Sequence, residues 1–495
     1  MSKVKEVQRA QHHVPDLLKA THATTAANAN EYLPNADAEK APKPSWARQS
    51  IPNFPQLSEF EVVRHFTKLS QLNHSIDGGM YPLGSCTMKY NPRINEEVAA
   101  MPRFSHMHPY LPQQNVQGTL EVMYLLQQAL MDITGMKGCS LHPAAGAQGE
   151  LAGVKMIRKY HDEKGQTQKK VILVPDSAHG TNPATAALSG FSVKTLNSNA
   201  DGIITLDEIK DKMDETVAGL MITVPNTLGI FEKEIKEIAG FLHAHDALLY
   251  CDGANLNAMV GQVHILNMGV DVMHINLHKT FSTPHGGGGP GSGPVVVSDR
   301  LLPYMPNPQV IKKQDGTYAL ADVEKSIGKY RGFYGNFGMF IRALCYIYAF
   351  GRNKLSDISE TAVLNANYIK HHLRDFYDLP YTSRTLHEAV FSDKLQQKQN
   401  KVKTMDIAKR LMDFGYHPPT VYFPLVVDGA LMIEPTESES KAELDRFIAT
   451  MQQIAQEAKE DPDKVKTAPH RTGIKRLDET LAARKPVLTW NPDEV

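Results

Sequence analysis

Between about residue 118 and residue 300, short apolar runs rich in Val, Ile and Leu alternate with longer stretches whose apolar positions recur every three to four residues. The first pattern predicts buried strands and the second predicts helices. Strands are predicted at 138–141, 171–174, 219–224, 248–252, 271–275 and 294–297. A helix is predicted over 119–133, stopped by Gly135, another from the Gly146 region to about His161, and a third over 232–244. Thr205-Leu-Asp-Glu208 has the spacing of a capping box and opens one more. Such alternation implies an α/β fold, a mainly parallel sheet with helices on both faces.

The remainder divides around that region. Residues 1–115 carry scattered Pro, Asn and His and one helical stretch, 57–72, and read as an extended arm. Residues 116–335 form the large α/β domain. Residues 336–460 read as a smaller α+β domain with a core-like helix over 337–350, short strands at 421–427 and 430–433, and an amphipathic, charge-laced helix over 438–457. Residues 461–495 are expected to wrap the surface as a tail.

Composition narrows the class. The chain has 495 residues, 42% hydrophobic and 22% charged, as in ordinary globular proteins. Lys plus Arg (53) and Asp plus Glu (54) nearly cancel, so no whole-molecule field favours nucleic acid or anionic lipid. No apolar run reaches membrane-spanning length, and the N-terminus has no signal-peptide core, which makes the cytoplasm the expected location. The four cysteines are far apart and form no CxxC pair, so structural zinc is not expected.

The chemistry gathers where strands end. Lys279 follows the 271–275 strand and precedes a glycine-rich run, and ligands of open α/β sheets bind beyond the carboxyl ends of strands. A lysine held there among apolar groups can form a Schiff base with an aldehyde. Asp252 closes an apolar strand, His179 and Asn226 each follow one, and Gly146, Ala147 and Gln148 open a helix whose free N–H groups suit a phosphate. A lysine for an aldehyde, a carboxylate for a ring nitrogen, a histidine to lie on a ring and an amide to meet its phenolic oxygen are the parts of pyridoxal phosphate catalysis. Taken singly, each has a plainer reading as a cap, turn former or surface group; the weight rests on Asp252 with Lys279.

Several segments then carry a family resemblance. They are 81–92 (YPLGSCTMKYNP), 143–150 (PAAGAQGE), 176–183 (DSAHGTNP), 224–229 (VPNTLG), 251–257 (CDGANLN), 276–281 (NLHKTF) with its PHGGGGPG sequel, and 432–440 (MIEPTESES). Together they resemble the glycine cleavage system P protein, the decarboxylating glycine dehydrogenase, in its C-terminal-half or second-subunit form. The resemblance implies the fold of aspartate aminotransferase-like, fold-type I transferases, with pyridoxal 5'-phosphate held covalently on Lys279, Asp252 at the ring nitrogen, and His278 among the cofactor contacts. It implies decarboxylation of glycine with transfer of the aminomethyl group to the lipoyl disulfide of the H protein. It also implies a homologous first subunit, two copies of each assembling together. Ser85, Thr87 and Lys89 are candidates for the glycine pocket or lipoyl channel, and His285 with the glycines for a lid.

Other readings have their own signatures. A different fold-type I decarboxylase or desulfurase needs no lipoyl acceptor, and a scaffold subunit needs no lysine adduct. The His106/His108 and His243/His245 pairs lack a nearby carboxylate at metal-site spacing, and the glycine run lacks the Gly-Lys-Ser/Thr ending of an NTPase loop.

Overall fold

A computed structural model of the chain describes residue 45 and residues 57–285 and 291–488. Most of the arm before residue 57, residues 286–290 and the last seven residues of the tail therefore lie outside the described residues.

The large domain is built on seven strands: β1 (Gly138–Ser140), β2 (Val171–Pro175), β3 (Ser192–Leu196), β4 (Val217–Thr223), β5 (Leu248–Gly253), β6 (Val272–Ile275) and β7 (Val295–Val297). Their order across the sheet is β1-β7-β6-β5-β4-β2-β3, and only β7 runs against its neighbours. Alternation along each strand sends successive side chains to opposite faces. Ile172, Val174 and Tyr250 meet Ala152, Met156 and Ile157 of the helix Gly146–Glu163 on one face. Leu173, Leu249 and Cys251 share the other face's core with Leu126 and Leu130 of the helix Gln117–Thr134. Strand β3 escapes the apolar pattern because it is an edge, with an exposed to half-buried run ending in Leu196. A hairpin of β8 (Gln309–Lys312) and β9 (Tyr318–Ala321) is a further addition to the predicted set.

The small domain has an antiparallel sheet of β10 (Ala389–Ser392), β11 (Thr420–Val421) and β12 (Ala430–Ile433), ordered β10-β12-β11. The predicted strand over 421–427 is cut to its first residue. Tyr422 takes φ 57°, which turns the backbone off the extended path, and Pro424 offers no N–H for a ladder. The helix over 438–457 starts instead at Lys441, where the Ser440 hydroxyl accepts from the Glu443 N–H, and runs to Glu460.

Two boundaries move with the packing. The helix Phe337–Phe350, grouped by sequence with the small domain, buries Phe340, Ala343, Leu344 and Ile347 in the large core. Tail residues Val465 and Ala468 are buried, and Val465 belongs to the small domain's core. The arm is stitched into both domains. Met80 is buried in the small core, Leu83 bridges to Ile433, and Arg342 holds Glu96 through two hydrogen bonds of 2.8 and 2.7 Å.

Candidate active site

Because β2, β4, β5 and β6 are parallel, their carboxyl ends open on one edge of the sheet, and a cavity of about 170 Å3 lies there. Gly146, Ala147, His179, Asn226, Asp252 and Lys279 all line it. The arm adds Ser85, and the small domain adds His387 and Glu388. The small domain is held over the edge by an apolar seam in which Ile203, Leu228 and Ile230 meet Val390, Ala430 and Met432.

Lys279 is half-buried, in a turn just past β6, its N–H donating to the Asn276 carbonyl at 3.0 Å. Its neighbour Thr280 is fixed twice: its hydroxyl accepts from the Leu256 N–H, and its carbonyl accepts from Lys89 at 2.9 Å. Lys89 is buried and also pairs with Glu437 at 2.6 Å and Asn257 at 2.7 Å. The arm lysine therefore anchors the segment that carries Lys279.

Asp252, the last but one residue of β5, accepts from the Ala254 N–H at 3.0 Å and from Asn182 at 3.1 Å. His274 Nε2 stands 3.5 Å from the same carboxylate, and its Nδ1 meets the Tyr250 hydroxyl at 2.5 Å. Burial pushes the Asp252 carboxyl up, but His274, the Ala254 N–H, Asn182 and Lys279 outweigh it and hold it below the usual carboxylate range. It stays ionised, as a partner for a protonated ring nitrogen must. Asn182 also donates to Glu150, which accepts from Thr181 and Thr185, so a connected network stands behind Asp252.

The helix Gly146–Glu163 opens at the cavity, where its first N–H groups have no intrahelical acceptor. Gly149 lets it approach closely: a Cβ there would stand 2.6 Å from the Gly293 carbonyl oxygen. His179 is exposed at the mouth, its Nδ1 2.8 Å from the Thr181 hydroxyl and its ring edge-on to Phe423 at 5.6 Å.

Three expected contacts are differently employed. Asn226 spends its amide hydrogens on the Gly202 carbonyl (2.7 Å) and Glu232 (2.8 Å), and its oxygen accepts from the Leu228 and Ile230 N–H groups, so it fixes a turn instead of facing a phenolic oxygen. The Gln148 side chain accepts from the Ala144 N–H at 2.6 Å and caps its own helix. His278 is not among the lining residues; it accepts from the Ser292 N–H and packs edge-on against His285. In each case a backbone group packed against the side chain takes at least one of its hydrogen bonds.

Sequence reading missed an acidic group on the small-domain side. Glu388 accepts from the Ser85 N–H at 2.9 Å, and Glu434 accepts from the Thr87 N–H at 3.1 Å and the Thr87 hydroxyl at 2.7 Å. His387, Glu388 and Glu434 are buried, with one ligand-type atom of each inside a 4.8 Å cluster. Glu434 was within reach, lying in the quoted 432–440 segment. Nothing in local periodicity marks His387 or Glu388.

The cavity fits pyridoxal phosphate on its polar demands. His274 Nε2, Asn276 Oδ1 and Thr223 Oγ1 all belong to lining residues and are buried without a hydrogen-bond partner, and buried polar atoms are rarely left so. A phosphorylated, polar aromatic aldehyde between Lys279 and Asp252 would meet groups of that kind.

Fold and site together define the class as a fold-type I enzyme of the class-V aminotransferase kind. Residues 152–310 match the aminotransferase class-V family, and residues 358–472 match the C-terminal domain of glycine dehydrogenase. The chain is 52% identical over 464 residues to the probable glycine dehydrogenase (decarboxylating) subunit 2 of Shouchella clausii, covering 92% of this chain and 94% of that one. It is 53% identical to the protein of that name from Thermococcus onnurineus, covering 90% and 89%. The chain belongs to the glycine dehydrogenase (decarboxylating) subunit 2 family. Among solved structures, an inhibitor-bound glycine decarboxylase (P-protein) superposes with a TM-score of 0.68 at 16% identity, covering 90% of this chain and all of that one. Lactobacillus brevis glutamate decarboxylase superposes at 0.64 and 14% identity, covering 86% and 97%. These two structures share the fold.

Proposed function

We propose that this chain is a glycine dehydrogenase (aminomethyl-transferring), the decarboxylating component of a glycine cleavage system. It removes CO2 from glycine and passes the aminomethyl group to the lipoyl disulfide of an H protein. The observation that carries this reading is Lys279 and an ionised Asp252 lining one cavity in a chain whose relatives share half its residues. Pyridoxal phosphate, when bound, supplies an aldehyde for Lys279 and a ring that accepts the electrons of the broken C–C bond. Asp252, backed by His274 and Asn182, would hold the proton on the ring nitrogen. The N–H groups of Gly146 and Ala147 would hold the phosphate at the helix N-terminus. His179, at the mouth, would cover the ring, and His387 and Glu388 of the small domain, which line the cavity, would help exclude water from the carbon that loses CO2.

The relatives' designation as subunit 2 supports a partner subunit; two copies of each subunit, acting in the cytoplasm, complete the proposal. Among the described residues, no helix is long and apolar enough to cross a membrane.

The test is the absorbance spectrum of purified protein before and after glycine, followed by borohydride reduction and peptide mapping. The expected result is a glycine-dependent spectral change and a reduced adduct on Lys279. No adduct on Lys279 would point to a scaffold subunit instead. Labelled glycine releasing CO2 equally well without lipoylated H protein would point to another decarboxylase.

A further inference from the structure

We propose that Glu388 is a catalytic acid: it gives a proton to the sulfur released when the disulfide is cleaved, and Glu434 is the positioning residue beside it. This deepens the function proposed above and rests on it.

The geometry begins with two strained residues of the arm. Ser85 has φ 66° and Thr87 has φ 51°, a left-handed conformation that is costly for a residue with a Cβ and persists only when its surroundings impose it. What each turn achieves is one N–H aimed at one acid, Ser85 at Glu388 and Thr87 at Glu434. Ser85 and Glu388 both line the cavity with Lys279, so this acid faces the space where chemistry occurs. Glu434 is the better satisfied of the pair. It takes the Thr87 N–H and hydroxyl and two contacts from Asn255 Nδ2 at 3.0 and 3.1 Å. Glu388 has the Ser85 N–H, and His387 Nε2 stands at 3.9 Å, beyond hydrogen-bond range. Two carboxyl groups this close and this buried cannot both be ionised cheaply. The one with fewer donors carries the proton. Burial and the Glu434 charge push the Glu388 carboxyl well above its ordinary range, against smaller opposing effects of the Ser85 N–H and Lys279. The other titratable neighbour is Cys86, whose thiol burial pushes up despite Lys279.

The proposed reaction needs an acid there. Loss of CO2 leaves an electron pair on the glycine carbon. That pair forms the C–S bond, the S–S bond breaks, and its electrons end on the second sulfur as a thiolate. Glu388 protonates the thiolate and becomes a carboxylate. The substrate amine, which enters as ammonium and leaves uncharged, returns the proton. The carbon is oxidised as the disulfide is reduced, so no further oxidant or acid is consumed.

The experiment uses the assembled holoenzyme with lipoylated H protein and labelled glycine. In Glu388→Gln, aminomethyl transfer is expected to fall on the order of 10²-fold or more, the usual range for a lost general acid, exceeding any change in the glycine titration by at least tenfold. Transfer within about threefold of wild type would overturn the proposal. Glu434→Gln provides a second arm that does not depend on the folding of the first. Removing that charge lowers the affinity of Glu388 for its proton, so the alkaline limb of the transfer profile should move to lower pH, and Glu434→Asp should restore it. An unmoved limb also overturns the proposal. Infrared spectra of the unreacted protein give a readout apart from activity: a wild-type minus Glu388→Gln difference spectrum at neutral pH should show a protonated carboxyl band over the signal that Glu232 leaves in both, and a difference spectrum without that band overturns the assignment. A wild-type enzyme that takes no CO2 from glycine would instead sink the underlying reaction, an outcome separable from a working enzyme indifferent to Glu388.

Discussion

At the scale of single residues, the site depends on which buried acids keep their charge. Asp252 stays ionised because His274, Asn182 and the Ala254 N–H face it at 3.0–3.5 Å. Asp252→Asn should therefore leave the adduct on Lys279 detectable by borohydride while lowering turnover on the order of 10²-fold or more, measured as kcat for CO2 release. Glu232 shows the opposite case. Burial pushes its carboxyl up to about 7 from 4.5, although Asn226 and the Ile204 N–H donate to it. An acid whose folded value is raised binds its proton better when folded, so it favours folding at low pH, and that contribution is lost as pH rises from about 4.5 to about 7. The loss amounts to about 3 kcal/mol for a shift of this size. Urea unfolding of Glu232→Gln should lack this decline between those pH values, and a parallel pH profile in both proteins would remove Glu232 as its cause.

At the scale of elements, the helix Gly146–Glu163 has to lie close to the sheet edge to present its N-terminus. Gly149 and Gly153 make that possible, since a Cβ at Gly153 would stand 2.5 Å from the Tyr250 ring. Gly149→Ala should cost about 1–3 kcal/mol through overpacking and weaken cofactor affinity, as the helix lifts away from the Gly293 carbonyl. A thermal melt and a cofactor titration check both effects, and unchanged cofactor affinity would show that close approach does not position the phosphate site. Most of these elements were legible in advance. The β2, β4, β5 and β6 segments announce themselves because strands covered on both faces are apolar throughout. Strand β3 does not, being an edge, and the 421–427 run looks like a strand until Tyr422 turns out of it.

For the whole molecule, the arm works as a fastening between domains. Lys89 reaches Glu437 of the small domain, Asn257 and the Thr280 carbonyl of the large one, and the Tyr346 hydroxyl of the helix Phe337–Phe350. Breaking a buried pair from one side strands a charge, so Lys89→Met should destabilise the fold by about 3–5 kcal/mol. The double variant with Glu437→Gln should recover part of that loss, which a denaturant double-mutant cycle can measure. No recovery would mean that the lysine acts through its other partners.

The sequence by itself determined where the chemistry could be. Parallel strands leave their carboxyl ends on one edge, so residues at or just after those ends, Asp252, Lys279 and His179, meet whatever the details of packing. It could not determine how each side chain spends its hydrogen bonds: Asn226, Gln148 and His278 were drawn to nearby backbone. Nor could it bring Ser85 to Glu388, 303 positions apart. Periodicity records which face of an element is buried. Which distant elements close over that face depends on the assembled cores, and only the tertiary structure decides it.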